Sequence, residues 1–370
     1  MRGRRALGAL AAAAALAMVV PRWWCGRGAE GMLRGARASQ APFARAVGRS
    51  VCDGFRVGTG SAHFDGEWTL VAYQMALLGM GQVARAHPGE RAALRPLMRR
   101  CASRMMAPEA RAFGAARWGE DGLAALASPR GHAYLGYLAL ALGMHRAVDP
   151  ETPYAPVHDA LIAALARRVG EAPAGLIETY PGESYPPDVA SVIGAIGLHG
   201  TVTGTDHRAV LRPWAETFRA RYVHRPSGYV IQRARRSGEA LDAPRGSGTA
   251  VSAYFLSFAD RALATELARA VARGTATLAG FGGVREFPPG TDGRGDIDSG
   301  PVLLGVSVSG TAFGFAPLRA LGDGDRFTAL WRTASLFGAP RGDGDAWGFR
   351  AAGPMGDALL LAMMTAERGR

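Results

Sequence analysis

Lysine and asparagine occur nowhere in the 370-residue chain, so all 43 of its basic residues are arginine. Such one-sided usage is what a strongly GC-biased genome produces, and it weakens what the net charge of +12 and the pI near 10.5 say about partners. A basic balance ordinarily points to nucleic acid. Here the arginines are scattered, "RPLMRRCASR" and "IQRARRSG" being the dense clusters, and no RNA- or DNA-binding motif accompanies them. The expectation is a solvated arginine-rich surface and no nucleic acid.

Cysteine is scarce as well. Cys25, Cys52 and Cys101 stand too far apart for a metal knuckle, and there is no C-x-x-C. Cys52 and Cys101 are free to pair in an oxidising compartment, which the sequence does not decide. A G-x-S-x-G elbow, a Walker loop, H-E-x-x-H and a dinucleotide fingerprint in a βαβ setting are all missing, which sets aside serine hydrolases, NTPases, zincins and nicotinamide enzymes. With 48% hydrophobic residues the chain has the material for a sizeable core.

The longest uninterrupted apolar run is at the start. "MRGRR" is followed by "ALGALAAAAALAMVV", about fifteen residues that are short for a spanning helix and suited to the apolar region of a signal. Trp23 and Trp24 follow, as residues that seek a membrane interface do. Residues 1–30 are therefore expected to be a signal peptide or membrane anchor, placing the protein outside the cytoplasm on the periplasmic face. Residues 31–60 read as a linker or extra segment and 61–370 as the domain.

From Glu67 onward, all-round apolar segments alternate with striped ones. "EWTLVAYQMALLGMGQVARA" precedes "ERAALRPLMRRCASRMM", and "PDVASVIGAIGLHGTV" precedes "HRAVLRPWAETFRARYV". The same holds for "GTAVSAYFLSF" before "DRALATELARAVARGTATL" and for "SGPVLLGVSVSGTAFGFAPLRAL" before "DRFTALWRTASLF". Apolar segments begin near Glu67, Gly131, Pro186, Gly248, Ser299 and Pro354, a spacing of roughly 50 to 65 residues that suits an array of helical hairpins. The pattern describes an all-α (α/α)6 toroid, with a helical solenoid as the competing architecture. A hairpin-like insertion is expected near 228–247, where "SGYVIQRARRSGEALDAPRGSG" mixes β-branched and aromatic residues with turn formers.

In a closed ring the starts of the inner helices share one face, and in this chain those starts carry the polar chemistry. "ETYPGESYPPDVA" holds Tyr180, Glu183, Tyr185 and Asp188. Asp188 suits the positive end of a helix, whereas the two tyrosines and Glu183 have no capping duty and suit a wall for a hydroxylated ligand. "FDGEWTLVAYQ" offers Asp65, Glu67 and Tyr73, and "SPRGHAYLGYL" offers His132 and Tyr134. In "DGRGDIDSGP", Asp296 and Asp298 precede Ser299, a candidate cap; the loop lacks the ligand spacing of an EF-hand, and no metal is expected. Glu67, Tyr73, His132, Glu183 and Asp298 form the expected catalytic set. Asp65, Tyr134, Tyr180, Tyr185, Asp188 and Asp296 form the expected substrate-binding set.

The "SPRGHAYLGYL", "YPGESYPPD" and "DIDSGP...SGTAFG" blocks, in that order, resemble the linalool dehydratase/isomerase-like domain over roughly Asp65 to Glu367. That resemblance implies an (α/α)6 barrel and a cofactor-free lyase or isomerase working by acid-base chemistry on a small, terpenoid-alcohol-like substrate. It also implies that His132 matches the family histidine and that Glu67 and Tyr73 match its acid and tyrosine. The family's cysteines are missing from "YPGESYPPDVA". The same equipment suits an (α/α)6 glycoside hydrolase, and a non-catalytic ligand-binding toroid is the third reading; a homo-oligomer is compatible with each. A terpene pocket should be lined by methionine and aromatic residues near His132, a carbohydrate site by aromatic platforms and two carboxylates about 5–10 Å apart.

Overall fold

The computed structural model describes residues 19–129, 131–291, 293–342 and 346–369. The fold is mostly helical. Helical residues 19–26 lead into α1 (Ala29–Arg34) and α2 (Arg37–Cys52). Then come α3 (Ala62–Ala86), α4 (Arg91–Met106), α5 (Ala112–Trp118), α6 (Leu135–Val148), α7 (Ala155–Glu171), α8 (Pro186–Thr203) and α9 (Arg208–Arg221). The rest are α10 (Gly246–Leu256), α11 (Arg261–Gly274), α12 (Val308–Phe313), α13 (Phe315–Leu321), α14 (Gly324–Gly338) and α15 (Gly353–Thr365).

The all-round apolar segments form a closed circuit. Helix α3 packs on α6, α6 on α8, α8 on α10, α10 on α12 and α13, these two on α15, and α15 back on α3. Because each is covered on both flanks and from outside, it has no polar face: in α3 every residue from Ala72 to Ala84 is buried. The striped helices cover them, α4 lying on α3, α7 on α6 and α8, α9 on α8, and α11 on α10. Helix α11 is representative, with Leu263, Leu267 and Val271 inward and Asp260 accepting from the Leu263 amide at its start. Close approach within the circuit needs small residues. A Cβ on Gly194 of α8 would stand 2.4 Å from the Phe255 carbonyl oxygen of α10.

Residues 31–60, expected as linker, contain α2, which packs on α3, α4 and α15; the Cys52–Cys101 disulfide fastens it to α4. Among the described residues no helix is long and apolar enough to cross a membrane. Residues 1–18, which carry most of the expected signal or anchor, lie outside the described residues, and the chain that follows is tied down on the helical body. The Trp331 indole donates to the Arg27 carbonyl at 2.9 Å, and Arg319 donates to the carbonyls of Met32 and Leu33. The transmembrane anchor, its membrane contact and a membrane-tethered periplasmic placement therefore have no support in the described residues.

The helical expectation also fails in two short places, each for a local reason. The helix expected to reach Leu278 ends at Gly274, and β-branched Thr275 opens β3 (Thr275–Leu278), paired antiparallel with β4 (Phe281–Val284). Ala279 and Gly280, both at positive φ, make the tight turn between them. The helix expected near Ser299 begins only at Val308, because β5 (Val302–Leu303) and β6 (Val306–Ser307) first form a hairpin about Leu304 and Gly305, again at positive φ. Ser307, not Ser299, caps the helix by accepting from the Gly310 amide. Near the C-terminus, Pro340–Gly342 pairs with Trp347–Phe349. The insertion near 228–247 is a ribbon of Val230–Ile231 against Pro244–Arg245, bridged to Ser184 through Ala234.

Candidate active site

The first turns of α3, α6, α8 and α10 open into one cavity of about 940 Å3, including its mouth. Pro186 and Pro187 occupy the opening positions of α8, where a missing N–H costs nothing, and this fixes Asp188 at the third position, facing the cavity. Glu67 comes from the second turn of α3 and Asp298 from the loop before β5. Tyr180, Glu183 and Tyr185 line the same cavity, so six of the eleven expected residues converge.

Their surroundings differ. Asp188 receives two hydroxyl donors, Tyr137 Oη on Oδ1 and Thr179 Oγ1 on Oδ2, each at 2.6 Å. Burial raises its pKa while both hydroxyls oppose that rise. Glu67 has no comparable support. Burial first, then the charges of Asp188 and Asp298, push it up to about 8, against the weaker help of the neighbouring Tyr180 hydroxyl. Asp298 is pushed up to about 7 by burial and by Asp296 and Asp188. At neutral pH Glu67 is therefore mostly a protonated acid.

Glu183, expected as catalytic, is engaged otherwise. Arg117 forms a salt bridge with it, and Tyr185 Oη donates to its Oε2 at 2.8 Å. The Arg117 guanidinium also lies 4.9 Å from the Tyr180 ring centroid, and His63 packs edge-on to that ring at 4.7 Å. Burial and the charge of Arg117 lower the His63 pKa, leaving a neutral imidazole 3.8 Å from Glu67.

The other five expected residues do not line the cavity. His132 has φ 59°, which turns its ring under Trp118, stacked at 4.4 Å, and burial holds its pKa down at about 4. Tyr134 is fully buried, and Tyr73 points to the Phe55 carbonyl. Asp65 is not the cap of α3; its carboxylate accepts from the amide and hydroxyl of Thr59. Asp296 pairs with Arg245 and accepts from the amides of Asp298 and Ser299, so it shapes the turn that presents Asp298. Sequence reasoning missed His63, Arg117, Tyr137 and Gln232. The i,i+4 spacing of His63 and Glu67 was a usable signal, whereas Arg117 and Gln232 arrive from segments far away in sequence.

No protein-family model matches the chain, and no curated protein matches it. A solved structure does. The crystal structure of unsaturated glucuronyl hydrolase from Bacillus sp. GL1, responsible for the degradation of glycosaminoglycan, superposes with a TM-score of 0.54 at 17% identity. The match covers 90% of this chain and all of that one. The likeness is one of fold. The solved structure that shares the fold is thus a hydrolase, not the terpenoid-alcohol lyase or isomerase that the sequence blocks implied. Of the residues matched to that family, His132 and Tyr73 stand apart from the cavity, while Glu67 lines it.

Proposed function

We propose that the chain is an (α/α)6 barrel that hydrolyses a glycosidic linkage in a small saccharide, with Glu67 as general acid and Asp188 as the second carboxylate. The closed circuit of inner helices with outer partners and the fold shared with a glucuronyl hydrolase support the barrel. The observation that carries the chemistry is the contrast between two carboxyls in one cavity. Glu67 is held protonated, and Asp188 is held by two hydroxyl donors that favour its ionised form.

In this reading Glu67 gives its proton to the departing glycosidic oxygen. Asp188 either takes a proton from a water that attacks the sugar carbon, or itself attacks that carbon to form a glycosyl ester, which water activated by the Glu67 carboxylate then cleaves. The two courses give opposite product anomers. Trp68, Tyr137, Tyr180 and Phe255 supply aromatic wall, and Gln232 and Ser247 supply amide and hydroxyl groups for a hydroxylated ring. Asp298, when ionised, adds a further charge near Glu67 and so raises its pKa.

The test is a screen of glycosides and short oligosaccharides, uronic-acid-containing ones included. Against a substrate that is turned over, Glu67→Gln and Asp188→Asn should each lower kcat/KM by about 10²- to 10⁴-fold. Activity in wild type should fall above about pH 8 as Glu67 loses its proton. Full activity in either variant would remove the assignment, and tight saccharide binding without turnover would favour the non-catalytic module.

A further inference from the structure

Away from the cavity, on the outer flank where α7 meets α8, His158 and Asp159 stand beside His199 near the end of α8. One ligand atom from each lies within 4.8 Å of the others, the one such grouping among the described residues. The His158 ring is 1% exposed, and neither nitrogen makes a hydrogen bond of good geometry. Its neighbours explain the orientation. The Ala139 carbonyl lies beside the ring, and Gly143 leaves the room it needs, since a Cβ there would stand 3.3 Å from Nε2. The His199 and His158 ring centroids are 5.2 Å apart. His199 Nδ1 pairs with His207 Nε2 at 2.9 Å, while its Nε2 faces Asp159 Oδ1 at 3.0 Å.

We propose that His158, Asp159 and His199 form a binding site for a divalent zinc-type ion, with His207 orienting His199 from behind. Two imidazoles and a carboxylate are a donor set that zinc takes, with a water completing a tetrahedron. A buried ring nitrogen left without a partner has no structural purpose here, and a ligating role supplies one. The outer acceptors also fit, because a metal-binding histidine ordinarily gives its second N–H to a carbonyl or similar group, as the Ala139 carbonyl and His207 would provide. Ligand atoms around zinc stand roughly 3.3 Å apart for bonds near 2.0 Å, so the grouping must contract slightly. Asp159, with its side chain half exposed, is the arm that can swing. At present Arg146 holds its Oδ1. Metal and Arg146 therefore compete for Asp159.

The experiment uses the full chain stripped with a chelator, titrated with Zn2+ by calorimetry and with Co2+ by visible absorption. One ion per chain, with the Co2+ spectrum of a tetrahedral site, is the expected result. His158→Gln combined with His199→Gln should abolish it. His207→Ala should weaken affinity about 10- to 100-fold. Arg146→Gln should tighten it, an outcome that a purely structural salt bridge does not produce. Absence of saturable binding in the micromolar range, or binding that survives the double histidine variant, overturns the proposal. If melting shows that the double variant does not fold, unchanged zinc affinity in both His207→Ala and Arg146→Gln overturns it equally.

Discussion

Glu67→Gln should make the protein more stable, and by an amount set by pH. Glu67 has a pKa of about 8 in the folded chain against 4.5 for an unperturbed glutamate. Between those values the native state keeps a proton that the unfolded chain has lost. Stability therefore falls as pH rises from about 4.5 to about 8 and is level above that. Each pKa unit corresponds to about 1.4 kcal/mol, so the burden of Glu67 is under about 1 kcal/mol at pH 5, about 3 at pH 7 and about 5 above pH 8. Glutamine keeps the shape and never ionises. The variant should thus match wild type near pH 5 and exceed it by about 3 kcal/mol at pH 7.

The assay is denaturant unfolding at pH 5, 7 and 8, reading the midpoint at unchanged slope. It needs no substrate, which separates the electrostatic claim from the enzymatic one. Coincident midpoints at pH 8, or a gain that stays constant down to pH 5, would refute the reasoning. The first result would mean that Glu67 ionises without strain; the second would mean that glutamine merely packs better.

Tyr137→Phe removes one of the two donors to Asp188; the Asp188 pKa should rise, moving the acidic limb of the pH–rate profile upward and lowering the rate about tenfold, the worth of one charge-assisted hydrogen bond. Replacing Cys52 and Cys101 together by serine opens a link across 49 residues, and loop-closure entropy puts the loss at up to about 4 kcal/mol, measured as a lowered unfolding midpoint.

How much of this was legible follows from what kind of interaction fixed each feature. The inner helices were readable because burial on every side leaves an unbroken apolar stretch, as in α3 and α8, whatever the details of packing. The start of α8 was readable to the residue, since two prolines fit only the opening turn. The β5–β6 hairpin was not, because "VLLGVS" is apolar enough for a helix and only the positive φ at Leu304 and Gly305 diverts it. His132 lies outside the cavity for the same kind of reason: at φ 59° its ring turns under Trp118. Arg117, Gln232 and the His158–His199 grouping depend on contacts between distant segments, which composition and spacing do not carry.

The division of labour between Glu67 and Asp188 can be traced to their places on similar helices. Both belong to helices whose starts face the cavity, and the partial positive charge of a helix start fades within its first turn. Asp188, at the third position of α8, lies inside that turn. Glu67, at the sixth position of α3, lies beyond it. The same field thus favours ionisation of one carboxyl and does little for the other, and the Tyr137 and Thr179 hydroxyls widen the gap. Charges so close oppose one another, and Glu67 and Asp298, which lack the two hydroxyl donors of Asp188, are pushed up to about 8 and about 7. On the proposed reading, an acid and a base are thereby set apart by depth along a helix, with no difference needed in the chemistry of the two side chains.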